Sequence, residues 1–191
     1  MKKMLAVALI LVACAATAFA DVPDQSKCSV IPADNLNGMI ACPRIPSALT
    51  ASILTITVRN SDNNPIPNAT VVVILTASNP ACPNADLDAT TDASGVATIT
   101  VAASGCAHHV PGAGIVKANG VTIRSYDNVK SPDWDGAAGD GFTNLSDLVQ
   151  FANEFNTIDP ATCHDYTNDG ACNLSDLIPF SEAFAGAKKC Q

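Results

Sequence analysis

The sequence predicts an all-β sandwich followed by a small all-α module made of two loop–helix units. Three observations carry this. Short runs of alternating apolar residues, separated by turn signals, fill residues 26–126. A nine-residue pattern that starts at Asp140 recurs at Asp169, 29 residues on, and each copy is followed by apolar residues at helical spacing. No amphipathic helix precedes either copy: 125–132 and 156–164 carry Pro132 and Pro160 and show no apolar period of 3.6. The expected division is a leader at 1–20, the sandwich at 21–126, a linker at 127–130 and the loop–helix module at 131–191.

Within the sandwich, residues 52–59 alternate, with Leu54, Ile56 and Val58 on one face and Thr55, Thr57 and Arg59 on the other. Residues 60–67 form a turn-rich break with two prolines. The run Val71-Val72-Val73-Ile74-Leu75 reads as a strand that is fully buried or lies between sheets. Asp92-Ala93-Ser94-Gly95 is a turn signal before a strand at 96–101. Asn119-Gly120, between apolar runs at 114–118 and 121–125, is a hairpin signal, because a tight turn there needs positive φ at both central residues. Strands at this spacing describe a sandwich of about a hundred residues. The course Asn64-Pro65-Ile66-Pro67-Asn68-Ala69-Thr70-Val71, then Thr91-Asp92-Ala93-Ser94-Gly95-Val96-Ala97, is similar to bacterial Ig-like domains of the invasin type. These motifs fix turns and strand ends, so the resemblance implies a fold and no activity.

The repeat carries the chemistry. In the second copy Asp165, Thr167, Asp169, Asn173 and Asp176 fall at loop positions 1, 3, 5, 9 and 12, with Gly170 at position 6. That is the oxygen-ligand spacing of a calcium loop: a hard cation takes about six to eight oxygens, and glycine makes the sharp turn at the sixth residue. The last ligand is Asp where the EF-hand pattern has Glu. Leu177, Phe180 and Phe184 then follow at helical spacing, as do Leu148, Phe151 and Phe155 in the first copy. In that first copy Asp147, Asn144, Gly141 and Asp140 fall at positions 12, 9, 6 and 5, but positions 3 and 1 would be Ala138 and Gly136. Asp133 and Asp135 stand just upstream, as though three residues had been inserted. Either the loop bulges and still recruits both carboxylates, or the site is weak or empty and kept as a packing element.

Two calcium loops, each with an exiting helix and lacking the entering one, resemble a dockerin, the module that plugs secreted proteins into cohesin domains. The resemblance covers 131–191. It implies a small all-α fold of F-hand units, Ca2+ as the bound ion, and a cohesin-like or other surface protein as partner. It also implies that loop positions 10 and 11, Leu145-Ser146 and Leu174-Ser175, contact that partner. Here they are not the usual Ser/Thr pair, although they match between the copies, as two-fold symmetric docking would require. In such a module calcium neutralises the carboxylates and fixes the helices, so that Leu148, Phe151, Phe155, Leu177, Phe180 and Phe184 pack together. Ion binding then contributes to folding itself.

Residues 1–20 read as an export signal, with Lys2-Lys3, an apolar run from Met4 to Ala13 and a small-residue site ending at Ala20. The run Leu11-Val12-Ala13-Cys14 also resembles a lipobox, which would leave a lipid anchor at Cys14. Either reading places the mature chain outside the cytoplasm, secreted or at the cell surface. Seven cysteines remain after the leader, a disulfide framework with one thiol left over. A Cys163–Cys190 bridge would clamp the second loop and helix, and Cys172, at loop position 8, is the expected buried free thiol. The formal charge is −8, and eleven acidic residues from position 124 onward face only Arg124, Lys130, Lys188 and Lys189. That balance argues against nucleic acid and anionic membrane as partners.

No nucleophile–base or paired-acid constellation appears, so no enzyme is expected. His108-His109 read as an exposed loop pair with side chains pointing apart, Trp134 as packing beside a loop, and Glu154 and Glu182 as solvated helix positions. The functional expectation is a secreted, non-catalytic, calcium-dependent docking module that carries an Ig-like domain. The alternative is a structural or adhesive surface protein in which the sandwich makes the contacts and the calcium module is a rigid cap.

Overall fold

The computed structural model describes residues 22–33, 38–156 and 162–190, so the expected leader, and Cys14 with it, lie outside the described residues. Alternation works as the sequence implies at 53–57: Leu54 and Ile56 are fully buried and Thr55 faces out. This strand is β3 in the order β1 (Ser29–Ile31), β2 (Gly38–Ile40), β3 (Ile53–Thr57), β4 (Thr70–Leu75), β5 (Asp88–Thr90) and β6 (Val96–Thr100). There follow β7 (Cys106–Ala107), β8 (Gly114–Ala118), β9 (Val121–Tyr126), β10 (Asn128–Lys130), α1 (Leu145–Glu154) and α2 (Leu174–Ala185).

Two antiparallel sheets, β1-β3-β6 and β5-β4-β8-β9, face each other across one core in which Leu54, Ile56 and Ile99 meet Val71, Val73, Val116 and Ile123. Asn119 (φ 46°) and Gly120 (φ 80°) make the tight β8–β9 turn that their sequence signals. Gly95 (φ 76°) closes the turn at Asp92, whose Oδ1 accepts from the amides of Ser94 (2.8 Å) and Val96 (3.0 Å). The run at 71–75 is one-faced rather than fully buried: Val71 and Val73 point into the core, while Ile74 is 42% exposed.

The expected fold class, an all-β Ig-like sandwich followed by an all-α dockerin-like module, is corrected by the packing. Among the described residues the chain is mostly β with two α-helices, one in each C-terminal repeat, and the helices are built into the end of the sandwich. A third sheet, β2-β10-β7, makes the junction, with β2 parallel to β10. The stretch expected as a linker is β10, and all three of its residues are buried. Phe151, Tyr166, Cys172 and Phe180 form a core that Ile40 of β2 completes, and Ala183 of α2 packs with Cys42 and Leu49. After α2, Lys189 bridges to both Ile45 and Phe142. The physical reason is area: two short helices bury too little apolar surface alone, and the sandwich end supplies the rest.

The disulfides point the same way. Cys82–Cys190 and Cys106–Cys163 each join the strand region to the C-terminal repeat, so the expected Cys163–Cys190 bridge does not form. Cys28, Cys42 and Cys172 are free and buried, three thiols rather than one. Burial pushes the Cys172 thiol up to about 12. Pro179 does not shorten α2, which runs on to Ala185. The helical partner it removes belongs to the exposed Ser175, whose carbonyl water can satisfy.

Candidate metal centre

Four carboxylate–amide hydrogen bonds recur in the two loops. In the second, the Asp165 carboxylate accepts from the amides of Asp169 (Oδ1, 3.2 Å) and Gly170 (Oδ2, 3.1 Å). Asp169 Oδ1 accepts from Ala171 N (3.0 Å), and Asp176 accepts from Thr167 N (Oδ1, 2.9 Å) and Asn173 N (Oδ2, 3.0 Å). In the first, Asp133 accepts from Asp140 N (3.0 Å) and Gly141 N (2.9 Å), Asp140 Oδ1 from Phe142 N (2.8 Å), and Asp147 Oδ2 from Asn144 N (2.8 Å). Asp133 therefore stands where Asp165 stands. Gly141 (φ 88°) and Gly170 (φ 91°) make the same left-handed turn at loop position 6.

The first loop is longer than the second by three residues and bulges, with Asp133 but not Asp135 turned into it. Its three extra residues fall between Asp133 and Asp140, and Asp135 Oδ1 holds them by accepting from Ala137 N (3.2 Å) and Ala138 N (3.4 Å). Asp135 stays exposed on the rim while Asp133 is fully buried. Gly139 presses the bulge against the sandwich, where a Cβ would collide with Ser104 and the Gly105 amide.

The asparagines at position 9 turn out to be helix caps. Asn144 Oδ1 accepts from the amide and hydroxyl of Ser146, and Asn173 Oδ1 from those of Ser175, all at 2.9 Å. Asp147 and Asp176 return the favour as N3 residues of capping boxes, so each loop's last carboxylate also starts its helix. Leu148, Phe151, Phe155, Leu177, Phe180 and Phe184 converge as expected in one cluster, with Phe151 stacked on Phe180 at 4.5 Å between ring centroids.

Charge distinguishes the loops. Asp133 and Asp147 are both buried. Burial, then the Asp147 charge, pushes the Asp133 carboxyl up to about 7. Burial likewise raises Asp147, with Asp140 and Asp135 adding to it. At the second loop the ammonium of Lys130, itself 2% exposed, stands 3.6 Å from Asp165 Oδ2 and donates to the Asp165 carbonyl.

Sequence reasoning missed Lys130, and it misread Glu154. The Glu154 carboxylate accepts from the His164 amide (3.1 Å) and lies 2.9 Å from His164 Nδ1, fixing the residue before Asp165. His164 is wholly buried, edge-on to Trp134, Phe151 and Phe180. His108 and His109 stack at 3.9 Å instead of diverging. They line a cavity of about 60 Å³ against Lys130, Asp165 and Asn168. Glu182 is exposed but accepts from Thr50 N at 3.3 Å.

The donor set fits a hard divalent cation in kind: oxygens only, from carboxylates, the Thr167 hydroxyl and the carbonyl at position 7, Ala171 in the second loop. Among the described residues, no three His, Cys, Asp or Glu side chains already stand together as a finished cage. Their carboxylate oxygens are turned onto loop amides, yet each carboxylate keeps lone pairs free for an ion. Two buried carboxylates, Asp133 and Asp147, with the Asp147 charge adding to the rise at Asp133, are the observation that favours the fit.

Next to the loops the helices leave large apolar side chains in water. Leu145 is 66% and Val149 55% exposed on α1; Leu174 and Ile178 are each 69% exposed on α2. These are the same two positions of the repeat, one turn apart on each helix. Beside α2 an open groove of about 690 Å³, lined by Ile31, Met39, Ile53, Tyr166, Ile178 and Pro179 among others, continues the apolar surface toward β3. No helix of the described residues is long and apolar enough to cross a membrane.

No family model and no curated protein matches the chain. Among solved structures, two type II Cohesin-X-Dockerin complexes from Acetivibrio cellulolyticus are similar, one an N-terminal and the other a C-terminal interface mutant. Each is 20% identical, over 80% of this chain and 94% of that chain, with a TM-score of 0.27. A likeness at that score carries no argument about fold or function.

Proposed function

We propose that the chain is an exported, non-catalytic protein-docking module whose docking face is set by calcium. The single observation that carries this reading is the duplication of an exposed apolar pair: Leu145 with Val149, and Leu174 with Ile178, at matching repeat positions beside matching acidic loops. Scattered exposed aliphatic residues need no explanation, but a patch repeated with the loops that start its helices does. Ser146 and Ser175 lie between the members of each pair and supply polar contacts at its rim.

Bound calcium would supply positive charge to loops that otherwise bury carboxylates. In the second loop Asp165, Thr167, Asp169 and Asp176 would hold it; in the first, Asp133, Asp140 and Asp147, with Asp135 at the rim. The chain's own residues do the rest. Asn144 and Asn173 cap the helices, while Asp147 and Asp176 join loop to helix, so an ion-ordered loop fixes the direction of each apolar pair. The partner is a protein domain with an apolar face, and a cohesin-like domain is one such candidate.

The test is capture from the secreted and surface proteins of the source cell by the full disulfide-bonded chain, in calcium and in chelator. The isolated 131–191 fragment is unsuitable because it would break both bridges. Saturable, calcium-dependent capture of one partner, lost in Leu145→Asp/Leu174→Asp without a change in melting temperature, is the expected result. Capture that is indifferent to calcium and to both substitutions would overturn the reading.

A further inference from the structure

The two loops share four carboxylate–amide hydrogen bonds but not their counter-charge. Lys130 ends β10, a strand buried between β2 and β7, so its ammonium is delivered to the second loop by the sandwich itself. There it donates to the Asp165 carbonyl and lies 3.6 Å from Asp165 Oδ2, with Asp176 and Glu154 the next nearest acidic influences. The first loop has no equivalent. Among the described residues no Lys or Arg ion pair reaches Asp133 or Asp147. The other buried ammonium, Lys188, is committed to Ser47 O (2.7 Å), Ser47 Oγ (2.9 Å) and the Ala48 carbonyl.

We infer that Lys130 is a resident counter-ion of the second loop, so that the repeats take up calcium unequally and in order, the first loop before the second. This rests on the calcium reading above. A divalent ion held by Asp165 must approach within a few ångströms of a buried ammonium that already neutralises part of that carboxylate. In a medium of reduced dielectric the repulsion opposes binding at this loop alone. The first loop has no such ammonium beside it among the described residues, and an ion there relieves the repulsion between Asp133 and Asp147. Lys130 thus holds the second loop in shape before any ion arrives, and does so at the expense of its affinity.

Calorimetric calcium titration of the full disulfide-bonded chain tests this. The parent should show two binding events, the tighter one lost in Asp140→Asn and the weaker one lost in Asp169→Asn. Lys130→Met should tighten the weaker event by about tenfold or more and leave the other unchanged. It should also melt lower than the parent without calcium and gain more from saturating calcium. Lys130→Gln, which removes the charge but keeps a donor for the Asp165 carbonyl, should behave in the same way. The inference is overturned if Asp169→Asn removes the tighter event, or if both neutral variants leave the weaker one unmoved or weaken it. It is also overturned if neither variant folds even in saturating calcium. A parent that shows neither binding heat nor a melting shift in calcium removes the calcium reading itself, an outcome separate from unequal binding that ignores Lys130.

Discussion

Asp133 offers a substitution whose effect should change sign with calcium. Its carboxyl is fully buried, and burial followed by the Asp147 charge lifts it from 3.8 to about 7. Without calcium the folded chain therefore binds this proton more tightly than the unfolded chain does. Stability contributed here is present below pH about 4 and is lost as pH rises through about 7, because the folded state holds the extra proton over that window. At about 1.36 kcal/mol per unit, the full loss is about 4 kcal/mol, of which about 3 kcal/mol falls between pH 5 and 8. Asp133→Asn removes the charge but also one of the two amide contacts at 2.9 and 3.0 Å, a cost of about 1–3 kcal/mol. In calcium-free buffer at pH 8 the variant should thus be about 2 kcal/mol more stable than the parent, with a flatter pH dependence. In saturating calcium at pH 8 the order should invert, since the variant lacks a ligand. Denaturant unfolding of both proteins at pH 5 and 8, with and without calcium, reads all of this. Parallel pH slopes, or a variant less stable than the parent at pH 8 without calcium, would refute the claim that these buried carboxylates oppose each other.

Two further predictions test the fold itself. Peptide mapping of the oxidised chain should find Cys163 linked to Cys106 and Cys190 to Cys82, and no 163–190 peptide. Cys106→Ser/Cys163→Ser, which opens a bridge across a sequence separation of 57, should lower stability by about 4 kcal/mol on the chain-entropy account, read by denaturant unfolding. Phe180→Ala removes a side chain that is 1% exposed and stacked on Phe151, and should cost about 3–5 kcal/mol. Because the Phe180 cluster includes Ile40 of β2, Trp134 fluorescence and far-ultraviolet circular dichroism should melt together in this variant; two separated transitions would mean that the helices and the sandwich fold independently.

What was legible in the sequence was local. The 29-residue repeat, glycine at position 6, the inward face of Leu54 and Ile56, and the Asn119-Gly120 turn each depend on a few neighbouring residues and appear as read. The bulge was visible as an arithmetic excess of three residues, but only the amides of Asp140 and Gly141 identify Asp133 as the residue that fills position 1. What was hidden depends on distant partners. Periodicity cannot show that 128–130 is a strand, because three residues carry no pattern and the pairing strands β2 and β7 lie about 90 and about 20 positions away. The cysteine pairing was hidden for the same reason. Lys130 could have been flagged: it is the one Lys or Arg between Arg124 and Lys188, four residues after the hairpin, where a solvated lysine and a buried one look alike.

The fold correction also changes what bound calcium would be for. Were the repeats a free-standing module, the ion would supply much of their folding energy. Here two disulfides, a shared aromatic core and the Lys130 contact already hold Tyr166, Phe151 and Phe180 against β2. The parts left to the ion are the loop carboxylates and the first turns of α1 and α2, whose capping boxes pair Asn144 and Asn173 with two of those carboxylates, Asp147 and Asp176. Those first turns bear Leu145 and Leu174, and Val149 and Ile178 stand one turn further on. Calcium would thus act on the orientation of the exposed pairs more than on the existence of the fold. A rigid sandwich end is what makes that useful, because an apolar pair contributes most to binding when its direction is fixed before the partner arrives.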